Sequence, residues 1–407
     1  MAQFESENLY GTHEDELPES HDTADSSSVK EKQEVRGPID VPFLLLTLII
    51  LTIGVIMVLS ASFARAYYAS ENPTKYFTRQ VAFAVTGVGL MYIASRMKVS
   101  FYRKLAFPLF VLSIVLLMLV PLIGVESGGA KRWLGIGSYT FQPSEIAKLS
   151  VILLFAHMIC VFKEKMQTFK YGVLPFGVVL ALICLLLYFE PHLSAMVIII
   201  LVGAIMMFAG GVKLRWFALG ALVVAAVGFF VVAATDYADA RIQSWLDPYS
   251  DASGDGFQII QSLYAIGSGG MVGLGLGQGR QKFLYLPEEH NDFIFSVYCE
   301  ELGFVGAVLL LALFALLICR GYWLALHARN KFGFLVITGI SSLLAIQVIL
   351  NVAVVTNLVP CTGISLPFFS YGGTALWMQL IEMGIVLSIS RDIPFKSKKQ
   401  KDGLDAQ

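Results

Sequence analysis

Runs of about 20 predominantly apolar residues recur along most of this chain, and they constrain its fold more than anything else in it. A run of that length matches a helix crossing the hydrocarbon core of a bilayer. Lipid offers backbone N–H and C=O groups no partners, so a spanning segment must satisfy them internally, as a helix does. We read ten runs, at 41–61, 77–95, 105–123, 145–161, 172–189, 193–209, 214–234, 293–319, 333–356 and 370–390. The expected fold class is therefore all-α: a polytopic membrane protein with ten transmembrane helices and a large extracytoplasmic loop, residues 235–292, between spans 7 and 8. Composition agrees, with 56% hydrophobic and only 14% charged residues.

A net charge of −1 gives no support for a nucleic-acid partner. The five cysteines (Cys160, Cys184, Cys299, Cys319 and Cys361) lie in or beside apolar runs. None forms a CxxC pair, so neither a zinc site nor a disulfide framework is indicated. No cleavable signal peptide is read, because a polar stretch precedes the first apolar run. Residues 1–40 are acid-rich, with Glu14, Asp15, Glu16, Glu19, Asp22 and Asp25, and too poor in apolar side chains to fold alone. The expected organisation is a disordered acidic tail over 1–40, a membrane domain over 41–391 and a basic tail over 392–407.

Basic residues alternate between loops. One set holds Arg96, Lys98, Arg103 and Lys104; Lys163, Lys165 and Lys170; Lys213 and Arg215; Arg320, Arg329 and Lys331; and the C-terminal lysines. Cytoplasmic loops carry the Lys/Arg excess, so this set and both termini are assigned to the cytoplasm. The opposite loops are then outside, and they contain the chemistry.

The longest outer loop ends in Glu288-Glu289-His290-Asn291-Asp292 and runs directly into the eighth apolar run. Glu300 and Glu301 follow inside that run, about 12–13 Å deeper at 1.5 Å per residue. Ionisable groups in a span are costly and point to function. The structural alternative for Asp292 is an N-cap. Apolar residues between Phe257 and Tyr264 suggest an amphipathic segment on the membrane face. The glycine-rich stretch from Gly267 to Gly279 lacks the Gly-Lys-Ser/Thr of a P-loop. Its glycines fit tight turns or close backbone approach to a ligand, and Arg280 and Lys282 beside it are candidates for a phosphate or pyrophosphate. Lipid headgroups are the alternative partners for that basic pair.

Three further stretches face the same side. Gln142-Pro-Ser-Glu145-Ile-Ala-Lys148 opens the fourth span, and Glu145 and Lys148 share a helix face. They are read as lining a polar, substrate-accessible cavity, with a packing ion pair as the alternative. Arg132, beside an interfacial Trp133, is the cation best suited to an anionic group, because guanidinium binds phosphate oxygens bidentately. The breaker-rich segment from Asn351 to Gly373 is read as a re-entrant wall, since irregular backbone at membrane depth must be covered or line a cavity.

Taken together, Gln142-Pro-Ser-Glu-x-x-Lys148, Pro287-Glu-x-His-x-Asp-Phe-Ile-Phe295, Glu300-Glu-Leu-Gly303 and Thr362-Gly-x-x-Leu-Pro-Phe-x-Ser-Tyr-Gly-Gly373 resemble the SEDS family (shape, elongation, division and sporulation). Its members include FtsW, RodA and SpoVE, and the resemblance covers about residues 40–392. Gly256 to Gly267 and Gly277 to Phe283 look more like the FtsW/SpoVE branch than RodA. The resemblance implies a peptidoglycan glycosyltransferase that polymerises lipid II at the outer face of the cytoplasmic membrane. It also implies a class B penicillin-binding protein as partner, other division proteins nearby, and a place at the septum. It makes Asp292 the essential acid and Glu145 with Lys148 the polar pair, while Glu300 and Ser370 join the substrate-binding candidates. One position departs: where the family commonly has Pro-Asp-Leu-Gly, this chain has Pro191-His-Leu-Ser194.

The expected chemistry is a single displacement at an anomeric carbon. Asp292 serves as base, Arg132, Arg280 and Lys282 are candidates for the leaving pyrophosphate, and a divalent cation, Mg²⁺ or Mn²⁺, is the other means of neutralising it. Two other readings remain at this stage: a lipid II flippase, or a division scaffold without catalysis.

Overall fold

A computed structural model describes residues 36–127, 130–136, 139–234, 242–254 and 256–393. The chain divides into Met1–Arg36 and Gly37–Gln407, and the fold lies in the second unit. Most of the expected acidic tail and nearly all of the basic tail lie outside the described residues. Within the stretch expected as the first tail, Gly37 N–H donates to the Arg391 carbonyl at 2.9 Å, and Asp40 is buried. Asp40 accepts from the Phe43 N–H at 2.9 Å, so it caps the first helix, and its other oxygen meets Arg320 at 2.6 Å.

Helices occupy all ten apolar runs. They are α1 (Val41–Ser70), α2 (Lys75–Arg96), α3 (Val99–Ile123), α4 (Pro143–Phe162), a short α5 (Phe169–Gly172) leading into α6 (Leu174–Phe189), α7 (Leu193–Ala209), α8 (Leu214–Ala234), a turn of helix over 242–246 (α9), α10 (Phe257–Gly269), α11 (Ile294–Leu326), α12 (Lys331–Val355) and α13 (Gly373–Ser390). Among the described residues, eight spans are long and apolar enough to cross a membrane by length and composition; the shorter apolar helices are α7 and the Leu214–Val223 part of α8. In the apolar stretches of α12 and α13, 72% of residues are buried, against 22% over Phe169–Phe189. The first two are thus central, while the last is a peripheral helix with an apolar outer face.

The segment between α3 and α4 is a small antiparallel sheet. Its strands β1 (Val125–Ser127), β2 (Ala130–Ile136) and β3 (Tyr139–Phe141) pair in order, with Val125 opposite Trp133 and Leu134 opposite Phe141. Side chains alternate across a strand, so Arg132 shares the face of buried Leu134 while Lys131 is exposed.

The 257–264 segment is two-sided as expected, with Tyr264 exposed and the other face against protein. α10 packs into the bundle: Ile259, Ile260 and Ala265 are buried, and Ser262 Oγ sits 2.7 Å from both Ser296 Oγ on α11 and the Val355 carbonyl on α12. Two buried hydroxyl contacts and an apolar face account for its depth.

The glycine-rich stretch makes the tight turns expected of it, with Gly270, Gly273, Gly275 and Gly277 at positive φ. Its backbone approaches α11 itself rather than a ligand. α11 breaks at Gly303 (φ 67, ψ −168), and residues 270–275 fill the break. Leu274 and Gly275 N–H donate to the Glu300 and Glu301 carbonyls, each at 3.0 Å, while Phe304 and Val305 N–H donate to the Gly270 and Met271 carbonyls at 2.9 and 3.1 Å. Backbone groups freed by the break are thus re-satisfied inside protein, as burial requires. A Cβ on Gly273 would collide with the Glu301 carbonyl, and one on Gly303 with the Gly273 N–H. Both glycines also hold positive φ. Gly303→Ala is therefore expected to destabilise the fold by about 2–5 kcal/mol, combining left-handed strain with overpacking; denaturant titration of the purified protein measures it.

Candidate functional site

Asp292 lies one residue before the N-cap of α11, and its setting is assembled from distant segments. Asn351 on α12 donates its Nδ2 to the Asp292 carbonyl at 2.8 Å and to the Ile364 carbonyl at 2.6 Å, clamping the loop to the irregular 356–372 segment. Ser370 Oγ donates to the Asn291 carbonyl at 2.9 Å and accepts from Leu366 N–H at 2.8 Å. Tyr371 N–H donates to the His290 carbonyl at 2.9 Å. The re-entrant wall expected from the breakers therefore exists as the surface on which the Asp292 loop is pinned. Ser370, expected at the substrate, instead uses its hydroxyl in that pinning.

Glu289 anchors the same loop from the other side. It is fully buried and takes a bidentate pair of bonds from Arg65 on α1, both 2.7 Å. Burial pushes the Glu289 carboxyl up, but His290 and Arg65 outweigh it and hold the group below the ordinary carboxylate range. A fork-to-carboxylate pair fixes orientation as well as charge.

The Asp292 carboxylate itself has no hydrogen-bond partner among the described residues, and Gly363 lies against it, with room for a Cβ only 3.1 Å from Oδ2. Its pKa is raised to about 6, first by burial and then by Glu288, against the opposing charges of Arg132 and His290. The side chain does not cap α11. The capping position is Phe293, and no side-chain hydrogen bond is made there. An unspent carboxylate with a raised pKa suits proton transfer near neutrality.

Arg132 reaches this acid from the sheet. Its Nη2 donates to the Pro191 carbonyl at 2.6 Å, in the turn between α6 and α7, and its Nε is buried without a partner. The same turn carries Glu190 and His192, the latter at the position that departs from the family's Pro-Asp-Leu-Gly. Glu190 is fully buried with neither carboxylate oxygen partnered, and its pKa is pushed up to about 8 by burial against the opposing charge of Arg132. His192 lies 3.4 Å from Gln142 and is driven down to about 3 by burial, Arg132 and Lys148, so the imidazole is neutral. Glu190, His192 and Asp292 all lie in the field of Arg132.

Glu145 and Lys148 pair at 2.8 Å. Both are buried, at 6% and 5% exposed, which matches the packing ion pair given as the alternative to a polar, substrate-accessible cavity. Glu382 on α13, 4% exposed, interacts with both charges. It sits in the middle of an apolar run and was missed; a single acid in a span is the signal that marks it.

Lys282 and Glu300 are not brought to Asp292. Lys282 Nζ meets Glu301 at 2.7 Å and Ser60 Oγ at 2.9 Å, and is 3% exposed. Glu300 accepts from the Arg280 N–H at 2.8 Å and from the Gln281 N–H, and Glu301 accepts from Gly277 N–H at 2.9 Å. These groups lock the glycine-rich insert onto α11, and their charges are consumed there. That physical commitment corrects the expected pyrophosphate role of Lys282 and the substrate role of Glu300. Arg280 has an exposed side chain and stays available.

No group of three or more His, Cys, Asp or Glu side chains able to hold a metal occurs among the described residues. Glu288 and Asp292 form a pair of acids whose charges interact. Such a pair suits a hard cation that arrives with phosphate oxygens and keeps several waters.

The family model described as cell cycle protein (FtsW/RodA/SpoVE) matches residues 41–393. Stage V sporulation protein E of Bacillus subtilis is 40% identical over 355 residues, covering 86% of this chain and 97% of that protein. A probable peptidoglycan glycosyltransferase FtsW of Geobacter sulfurreducens is 39% identical over 353 residues, covering 86% and 95%. Among solved structures, a peptidoglycan synthase complex described as coordinating polymerization and crosslinking aligns with TM-score 0.73 at 30% identity, covering 88% of this chain and 99% of that one. The rod shape determining protein RodA of Thermus thermophilus aligns at 0.65 and 27%, covering 88% and 98%. The pinned acid, the arginine from the sheet and the bundle around them thus sit in a multi-pass membrane protein that belongs to the FtsW/RodA/SpoVE family.

Proposed function

We propose that this protein is a peptidoglycan glycosyltransferase that polymerises lipid II at the outer face of the cytoplasmic membrane. The observation that carries the reading is the Asp292 carboxylate, held in place by its backbone yet free at its oxygens, with Arg132 acting on it. The chain is taken to cross the membrane ten times with both termini in the cytoplasm, which follows from the basic-loop asymmetry. Division is the setting favoured by the FtsW-like relatives, with a class B penicillin-binding protein as partner and the septum as location. The tails over 1–40 and 392–407 are assigned to the cytoplasm on the same ground.

Asp292 takes the proton from the acceptor sugar hydroxyl as its oxygen attacks the anomeric carbon of the donor. The new C–O bond forms as the bond to the lipid pyrophosphate breaks, and the pyrophosphate leaves with the bonding pair. Direct displacement inverts the anomeric centre. Arg132, with an unpartnered Nε, is the cation placed to meet the leaving phosphate oxygens, and Arg280 is a second. When a divalent cation is present it adds neutralising charge at the pyrophosphate, and Glu288 and Asp292 would hold it.

The test uses the purified protein with its cognate penicillin-binding protein, the latter lacking its transpeptidase serine. Lipid II is supplied and glycan products are resolved by gel. Polymer supports the transferase; absence of polymer together with transfer of labelled lipid II across vesicles would favour a flippase.

Glu190 provides a separate expectation. Its raised pKa means that the folded state disfavours the ionised form. Stability present at low pH is therefore lost as pH rises from the ordinary carboxylate range to about 8. Glu190→Gln removes that charge, so the variant is expected to exceed the parent by about 1–3 kcal/mol at pH 8.5. The two should converge at pH 4, and thermal unfolding at both pH values checks this.

A further inference from the structure

At the opposite end of the bundle from Asp292, a recess of about 330 Å³ lies between the start of α3 and the end of α4. Ser100, Arg103, Lys104, Phe107 and His157 line it. The loop just before α3 meets α13 there: Ser388 Oγ donates to the Met97 carbonyl at 2.6 Å, beside the Gly37–Arg391 contact. This end therefore carries both ends of the described chain. The charge of Arg103 reaches the His157 ring and the Cys160 thiol, and that of Lys331 reaches Cys160 too.

One cation at the same end is already neutralised. Arg320 is neutralised by Asp40 at 2.6 Å. Neither Arg103 nor Lys104 forms an ion pair among the described residues, and no acid lines the recess. His157 Nδ1 is buried without a partner in the same wall. Hydroxyl, guanidinium, ammonium and an unspent ring nitrogen form a donor set for phosphate oxygens. The wall continues into lipid-facing surface, because Phe107 is 65% exposed and Val111, one turn deeper, is 44% exposed. A free anion has no use for that apolar track, whereas an acyl chain does.

We propose that this recess binds the phosphate headgroup of an anionic phospholipid, with Arg103 and Lys104 on the phosphate and the acyl chain along Phe107 and Val111. Basic pockets between membrane helices on the cytoplasmic side recognise such headgroups, and each juxtamembrane cation contributes about 1 kcal/mol. The inference does not depend on the transferase reading.

Native mass spectrometry of the purified protein, exchanged against mixed phosphatidylglycerol and phosphatidylcholine, reads it directly. The parent is expected to retain phosphatidylglycerol preferentially. Arg103→Ala/Lys104→Ala, which changes only exposed side chains, is expected to weaken that retention about 30-fold, from two cations at that contribution. Lys213→Ala/Arg215→Ala, at the α7–α8 connection, is the control and should leave it unchanged. Equal retention of both lipids, or an equal loss in the control, overturns the proposal. Displacement of phosphatidylglycerol by inorganic phosphate alone overturns it too, and assigns the recess to a free anion.

Discussion

Asp292→Asn is expected to lower glycan polymerisation by about 10²–10⁴-fold, the ordinary contribution of a positioned base. The change is nearly isosteric. It leaves the Asp292 carbonyl bonded to Asn351 and disturbs no side-chain hydrogen bond among the described residues. Folding and complex formation should therefore persist, which separates lost chemistry from lost structure. The parent should also show a pH profile. Proton acceptance needs the ionised carboxylate, and the folded pKa is about 6, so kcat/KM falls as pH drops through that value. The asparagine variant has no such limb. Because a raised carboxylate pKa costs the folded state at neutral pH, the variant should be no less stable than the parent at pH 7. Polymer yield from the variant equal to that of the parent would remove Asp292 from the reaction.

Lys282→Met should give the largest loss of stability, about 3–5 kcal/mol. It deletes one partner of a buried ion pair and leaves Glu301, fully buried, with only Ser60 and the Gly277 N–H. The companion double variant Lys282→Met/Glu301→Gln removes both charges and should recover a large part of the loss. A double-mutant cycle in denaturant titration measures the coupling. A small effect for Lys282→Met, with lipid II affinity lost instead, would return Lys282 to the pyrophosphate and undo the structural assignment given to it above.

These two residues illustrate how the sequence can be read and where it misleads. Asp292 stood out because it ends a long polar loop and precedes an apolar run, and the structure keeps it free of partners. Lys282 stood out for the same kind of reason, a cation beside glycines in an outer loop. Nothing local shows that Glu301 and Ser60 come from two other segments to accept hydrogen bonds from its ammonium. Glu190 and Glu382 are each one acid next to apolar residues, and the sequence does not show what surrounds them. Their weight comes from the lack of partners in one case and from Lys148 in the other. Ser370 sits within a recognisable motif, yet what its hydroxyl touches is the Asn291 carbonyl, 79 residues away in the chain.

The sequence by itself determined the class of fold and the helix positions, and it singled out Asp292 as a candidate. Those follow from apolar run length and the cost of charge in lipid, which are local properties of the chain. Only the tertiary structure decided which charges are consumed and which are free. That depends on long-range contacts: glycine backbone filling the break in α11, Asn351 and Ser370 pinning the Asp292 loop, Arg132 arriving on a strand. A hydrogen bond to a buried charge satisfies that charge wherever its donor sits in sequence, so only the folded chain shows which groups remain available for chemistry.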